Sequence, residues 1–143
     1  LGEDVFRFFG MGCRNVSKVY LPENFDLDRL FRAFFRWKDI INHHKYANNY
    51  DYNKAVWLMD RVPITENGFL LLKEDQGVNS PVASLLYERY SDRDAVEERL
   101  RGLEESLQCI VGHGHVPFGT AQRPGPGEFA DNVDTMQFLL ELR

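Results

Sequence analysis

Cysteine is scarce in this chain: Cys13 and Cys109 are the only two thiols in 143 residues. A chain of that length buries enough apolar surface to fold around one core without covalent staples, so a disulfide framework is excluded and a single domain is the default. Long hydrophobic runs are missing too. No stretch approaches the ~20 apolar residues that cross a bilayer, and the opening residues are not a charged segment followed by an apolar one, so the expectation is a cytoplasmic protein without a membrane span. Positive charge is in short supply, with 17 Lys and Arg against 22 Asp and Glu for a net charge of -5. That balance speaks against a nucleic-acid partner, which would be met by a basic stripe. The densest basic group, Arg29, Arg32, Arg36 and Lys38, is interleaved with Leu30, Phe31, Phe34 and Phe35 and reads as the solvated face of an amphipathic helix. Internal repeats and low-complexity segments are absent.

What remains is an ordinary globular composition, 43% hydrophobic, 13% aromatic and 27% charged, with no signature of disorder. Glu3 to Phe9 reads as the last turns of a helix stopped by Gly10, and Asn15 to Leu21 as a strand. Asp26 is an N-cap candidate for a helix to about Trp37, with Leu27, Leu30, Phe31, Phe34 and Phe35 at helical spacing. The stretch from Ile40 to Asn53, dense in Asn, His and Tyr, reads as a polar aromatic loop. Lys54 to Asp60 follows as a short helix with Ala55, Leu58 and Met59 turned inward. Asn67-Gly68 marks a tight turn between Val62-Pro63-Ile64 and a strand at Phe69 to Leu72. Pro81 to Tyr90 reads as a further strand, apolar on both faces through Val82 to Tyr87, and Asp92 caps a helix from Arg93 to about Leu103 with Ala95, Val96 and Leu100 as its buried stripe. Leu107 to Val111 reads as a short apolar strand and Gly112 to Gly127 as a loop. Val133 to Leu142 closes the chain as a helix with Met136, Leu139 and Leu140 inward. The alternation predicts an α/β layer with a largely parallel sheet. The start at Leu1, with an amphipathic segment following almost at once, reads as a piece of a longer polypeptide.

The residue with most chemical content is Cys13. In Phe8-Phe9-Gly10-Met11-Gly12-Cys13-Arg14-Asn15 two glycines allow a close backbone approach to a ligand and deliver a thiol at the start of a strand, which suits a nucleophile. Set against this, a free cysteine often serves as a small buried hydrophobe. Cys109, inside an apolar stretch, is most simply core. Together with His113 and His115 it offers soft ligands without a fourth at persuasive spacing, so no metal site is read. His43-His44 would be a general base only if the fold brought it to Cys13. Neither Gly10-Met11-Gly12 nor Gly112-His113-Gly114 continues into the helix start of a dinucleotide fingerprint.

Taken together, the Cys13 segment and Pro117-Phe118-Gly119-Thr120 resemble the catalytic half of the aldehyde dehydrogenase superfamily, in which a Gly-Gln-x-Cys segment precedes a strand and a Pro-Phe-Gly-Gly segment lies near the end of the chain. Methionine stands here for the glutamine and threonine for the last glycine. The runs Gly12 to Lys18, Asn42 to Asn53 and Asp131 to Thr135 look like the fatty acyl-CoA reductase branch. The resemblance spans nearly the whole chain and implies an aldehyde dehydrogenase-like catalytic domain over residues 1–143, its sheet flanked by helices and its nucleotide-binding domain upstream. It implies Cys13 as the nucleophile that forms a thioester acyl-enzyme, Phe118 and Gly119 as neighbours at the substrate, and NADPH or NADH as the hydride source, bound mostly outside this chain. The family's cofactor-contacting Glu-x-Phe-Gly-Pro segment would fall near Gly77-Val78-Asn79-Ser80-Pro81, where only the proline agrees, so no cofactor-binding residue is carried over. The partners implied are an acyl-CoA substrate and, in a homo-oligomer, further copies of the chain. Two readings compete with this one. One is an aldehyde dehydrogenase working oxidatively, which needs a carboxylate near Cys13 to activate water. The other is a non-catalytic binding or assembly module in which Cys13 is inert.

Overall fold

Four short strands form one sheet in the order β1-β4-β3-β2, where β1 is Lys18–Pro22, β2 Ile64–Glu66, β3 Leu71–Glu74 and β4 Ser84–Tyr90. The computed structural model describes residues 1–142. Strand β4 lies parallel to both β1 and β3, and β2 runs antiparallel to β3. The sheet is therefore mostly parallel, and with its flanking helices the chain is an α/β protein.

The hairpin β2–β3 follows from local chemistry. Asn67 accepts from the amides of Phe69 and Leu70 through Oδ1 (3.2 and 2.9 Å), and Gly68 takes the left-handed φ of 88° that the turn requires. Residues 69–72 are buried and fill both faces of the sheet, each such side chain contributing ~1.5–3 kcal/mol relative to exposure. On one face Val19, Leu21, Leu72, Leu85 and Tyr87 pack with Val5, Phe6, Leu30 and Phe34. These come from α1 (Gly2–Phe6) and α2 (Leu27–Phe34). The expected N-cap forms: Asp26 Oδ1 accepts from the Asp28 amide at 2.9 Å. The α-helix stops at Phe34 and a 3-10 stretch continues from Phe35 to Asn42, leaving Phe35 exposed.

The opposite face carries the main correction. Residues 40–53, expected as a loop, contain most of a sixteen-residue helix, α3 (His44–Met59). Its inward residues are Tyr46, Tyr50, Asn53 and Trp57, packed with Leu71 and Ala83 or bonded beside them. Their polar tips are satisfied at the sheet: Tyr46 Oη donates to the Phe69 carbonyl at 2.9 Å, Asn53 Nδ2 to the Val82 carbonyl at 2.9 Å, and Tyr50 Oη bonds Glu66. Burial pushes the Tyr46 phenol far above its ordinary value. Ala55, Leu58 and Met59, expected inward, face solvent.

Three further expectations change. Helix α4 (Arg93–Gly102) is capped by Asp92 as expected, but none of its residues is fully buried. Leu107 to Val111 is not a strand, pairing only through a bridge between Val111 and Val116. The last helix, α5 (Thr135–Glu141), exposes Met136, Leu139 and Leu140. Among the described residues no helix is long and apolar enough to cross a membrane.

Candidate active site

The thiol turn is entered through strained backbone. Phe8 and Phe9 hold left-handed φ of 54° and 60°, followed by Gly10 at 73°. Only the glycine takes that region freely, and each aromatic costs on the order of 1–2 kcal/mol there. Phe9 is held by packing, its ring centred 4.2 Å from that of His43. Backbone strain of this kind clusters at functional sites, and here it stands directly before an exposed thiol. The turn itself closes when the Asn15 amide donates to the Gly12 carbonyl at 3.0 Å and the Gly12 amide donates to Asn15 Oδ1 at 2.8 Å. Cys13 sits at the corner and is exposed. Among the described residues nothing accepts a hydrogen bond from the Cys13 amide. That N–H is therefore available to an incoming oxygen.

Gly12 is required by what surrounds it. A Cβ there would lie 2.7 Å from Asn15 Oδ1 and 2.9 Å from Gln122 Oε1. Asn15 Oδ1 also accepts from Gln122 Nε2 at 2.9 Å, and Asn15 Nδ2 donates to the carbonyls of Asp4 and Val5 at 3.1 and 2.7 Å. The asparagine thus joins the thiol turn to α1 and to the segment after Phe118.

The turn opens on a cavity of about 730 Å³, lined among others by Cys13, Val78, Asn79, Cys109, His115 and Phe118. Phe118 is 61% exposed and presents its ring at the edge of this space. Gly119 follows with φ 85°, its amide donating to Asp4 Oδ2 at 2.8 Å. The 78–80 segment comes from the β3–β4 connection, tied to the start of β1 by Ser17 Oγ donating to the Val78 carbonyl at 2.5 Å. Three stretches far apart in sequence therefore meet at one space: the thiol turn, residues 78–80 and Phe118.

Cys109 also lines the cavity, half-buried, with Sγ 3.8 Å from the Arg14 carbonyl. Burial pushes its thiol above the ordinary value, which lowers its thiolate fraction at neutral pH. The basic residues nearest Cys13 in sequence are engaged elsewhere. Arg14 is buried, with Nε donating to the Ala121 carbonyl at 2.6 Å and Nη2 to Glu128 at 2.5 Å. Lys18, its side chain 5% exposed, pairs with Glu88 at 2.8 Å. Among the described lining residues the one carboxylate is Glu97. It bonds His115 Nε2 at 2.9 Å, which leads the interactions holding its carboxyl below the ordinary range, and it lies 3.5 Å from Arg93. His43 and His44 are not among the residues lining the cavity, and no three His, Cys, Asp or Glu side chains among the described residues converge as a ligand set.

Sequence reasoning missed Asp4, Asn15 and Gln122. Their partners lie more than a hundred residues away for Asp4–Gly119 and Asn15–Gln122, so no local pattern marks them. Compared with known proteins, the chain matches no family model, no curated protein and no solved structure.

Proposed function

We propose that this chain is the thiol-bearing catalytic domain of a cytoplasmic, aldehyde dehydrogenase-like acyl-CoA reductase, which reduces a fatty acyl-CoA to the aldehyde through a thioester on Cys13. One observation carries the reading. The two segments from which the resemblance carries residues over, at Cys13 and at Phe118, line a single cavity although more than a hundred residues separate them.

The step assigned to these residues is acyl transfer. The Cys13 thiolate attacks the thioester carbonyl, and the oxygen of the tetrahedral intermediate takes the Cys13 amide as a donor. The carbon–sulfur bond to coenzyme A then breaks, and the departing thiolate takes a proton from solvent. The acyl group remains as a thioester on Cys13. Reduction of that thioester draws a hydride from NADPH or NADH. The glycine turns described above do not build a cradle for such a cofactor: Gly10–Gly12 leads into the thiol turn and Gly112–Gly114 into the Val111–Val116 bridge, so neither presents helix N-terminal amides to a pyrophosphate. The reading assigns the cofactor to a domain beyond these residues. The oxidative alternative is less well supported, because it needs a free carboxylate as base and Glu97 is occupied by His115.

The test is covalent labelling of the full-length protein with a radiolabelled long-chain acyl-CoA, followed by peptide mapping. Label is expected on Cys13, lost in Cys13→Ala and retained in Cys109→Ala, with aldehyde appearing once NADPH or NADH is added. Label retained in Cys13→Ala, or none in the parent protein, overturns the proposal.

A further inference from the structure

Asp4 has no exposed surface, although it is a carboxylate in the first turn of a five-residue helix. A buried carboxylate is costly unless its lone pairs are filled, and here they are filled by one segment. Oδ2 accepts from the Gly119 amide at 2.8 Å and Oδ1 from the Ala121 amide at 3.1 Å. The backbone of the same residue serves the thiol turn: its carbonyl accepts from the Val16 amide at 2.9 Å and from Asn15 Nδ2 at 3.1 Å. Asp4 thus holds the turn carrying Cys13 with its main chain and the strip carrying Phe118 with its side chain.

The strip has no regular structure of its own between Pro117 and Glu128. Its position relative to the thiol rests on contacts of this kind. Arg14 and Asn15 reach the same strip at the Ala121 carbonyl and at Gln122, but neither holds the amide next to Phe118. Gly119 is gripped by Asp4 while its φ of 85° is one that favours glycine, so Phe118 is set on the cavity by a bond on one side and a backbone constraint on the same residue.

We propose that Asp4 is a positioning residue for acyl transfer, fixing the Phe118 wall against Cys13 so that a thioester carbonyl meets the sulfur in attacking geometry. This rests on the acyl-transfer reading above. Misplacement of a reacting group by about 1 Å costs on the order of 100-fold in rate, so loosening this one grip is felt in the chemical step. Asp4→Asn is nearly isosteric but replaces one acceptor oxygen by an NH2 group, which then faces a backbone amide that is itself a donor.

The experiment compares the parent full-length protein with Asp4→Asn and Gln122→Ala. It reads single-turnover acylation of Cys13 by a long-chain acyl-CoA, and alkylation of both thiols by iodoacetamide, a small reagent that needs no orientation. In Asp4→Asn the saturating acylation rate is expected to fall by about 10- to 100-fold. Half-saturation and Cys13 alkylation are expected to stay within about threefold, with Cys109 still protected, which a general loss of structure would not allow. An unchanged acylation rate in Asp4→Asn overturns the positioning role while leaving the acyl-transfer reading intact. Absence of acylation in the parent protein overturns that reading and the role with it. Should Asp4→Asn expose Cys109 to alkylation, Gln122→Ala decides: slower acylation with Cys109 protected supports positioning by the strip, and an unchanged rate refutes it.

Discussion

At the residue scale, the informative positions are those where a side chain, or the lack of one, is dictated by atoms far away in sequence. Gly12 is the clearest. Alanine there would bring Cβ to within 3 Å of both Asn15 Oδ1 and Gln122 Oε1. We predict that Gly12→Ala costs about 1–3 kcal/mol in thermal or denaturant unfolding, as small-to-large changes in packed sites do. Acylation of Cys13 should fall about tenfold or more, because the asparagine that shapes the turn is displaced. A variant that unfolds and acylates like the parent would show that the turn tolerates the methyl group. The turn at Cys13 was legible in the sequence because two glycines precede it. Asp4 was not. A lone carboxylate in a first helical turn reads as ordinary helix chemistry, and its true partners, the amides of Gly119 and Ala121, become visible only when the chain is folded.

At the element scale, whatever local chemistry dictates was readable. The caps at Asp26 and Asp92 and the Asn67-Gly68 turn are satisfied within three residues, so their signals survive without tertiary context. Helix α3 escaped because its buried face is made of Tyr46, Tyr50 and Asn53, types that pattern reading assigns to loops. Their ring bodies and stems are buried while their tips bond the sheet, so hydropathy shows no stripe. The polar end of the same sheet face yields a prediction. On β4, Glu88 bonds Lys18 of β1 at 2.8 Å and also Arg99 of α4. Burial alone would raise its carboxyl, but the hydrogen bond and charge of Lys18, joined by Arg99, outweigh this and hold it below the ordinary value of 4.5. A carboxylate whose folded pKa is depressed stabilises fully above its unfolded pKa, and that contribution is lost as pH falls through the folded value. The melting temperature of the parent should therefore drop on acidification below about 4.5. Glu88→Gln is expected to flatten that drop and to cost about 1–3 kcal/mol at neutral pH. Parallel melting curves for the two proteins from pH 6 to pH 3 would rule this out.

At the scale of the whole molecule, the sheet is covered unevenly. Helix α5 leaves Met136, Phe138, Leu139 and Leu140 exposed rather than adding to the core, so Leu139→Gln with Leu140→Gln should change the unfolding free energy by less than about 0.5 kcal/mol. A loss of 2 kcal/mol or more in denaturant unfolding would place the helix in the core after all. The α/β class of the fold was legible from alternating elements, whereas no spacing pattern could place Cys13 and Phe118 on one cavity, since they lie more than a hundred positions apart. Connectivity then sets an order of events in time. The β2–β3–β4 unit is local, whereas Lys18 and Glu88 on neighbouring strands are 70 residues apart and Asp4 and Gly119 are 115 apart. Closing such long loops is the slow part of folding, and the grip on residues 119–121 waits until most of the chain is in place. During refolding, pulse-labelled hydrogen exchange should find the amides of β3 and β4 protected first and those of Gly119 and Ala121 last. On a ribosome, the Cys13 thiol would acquire its surroundings only after nearly all of this chain had emerged, so a growing chain passes through a long exposed stage with the sulfur in place and the pocket unbuilt.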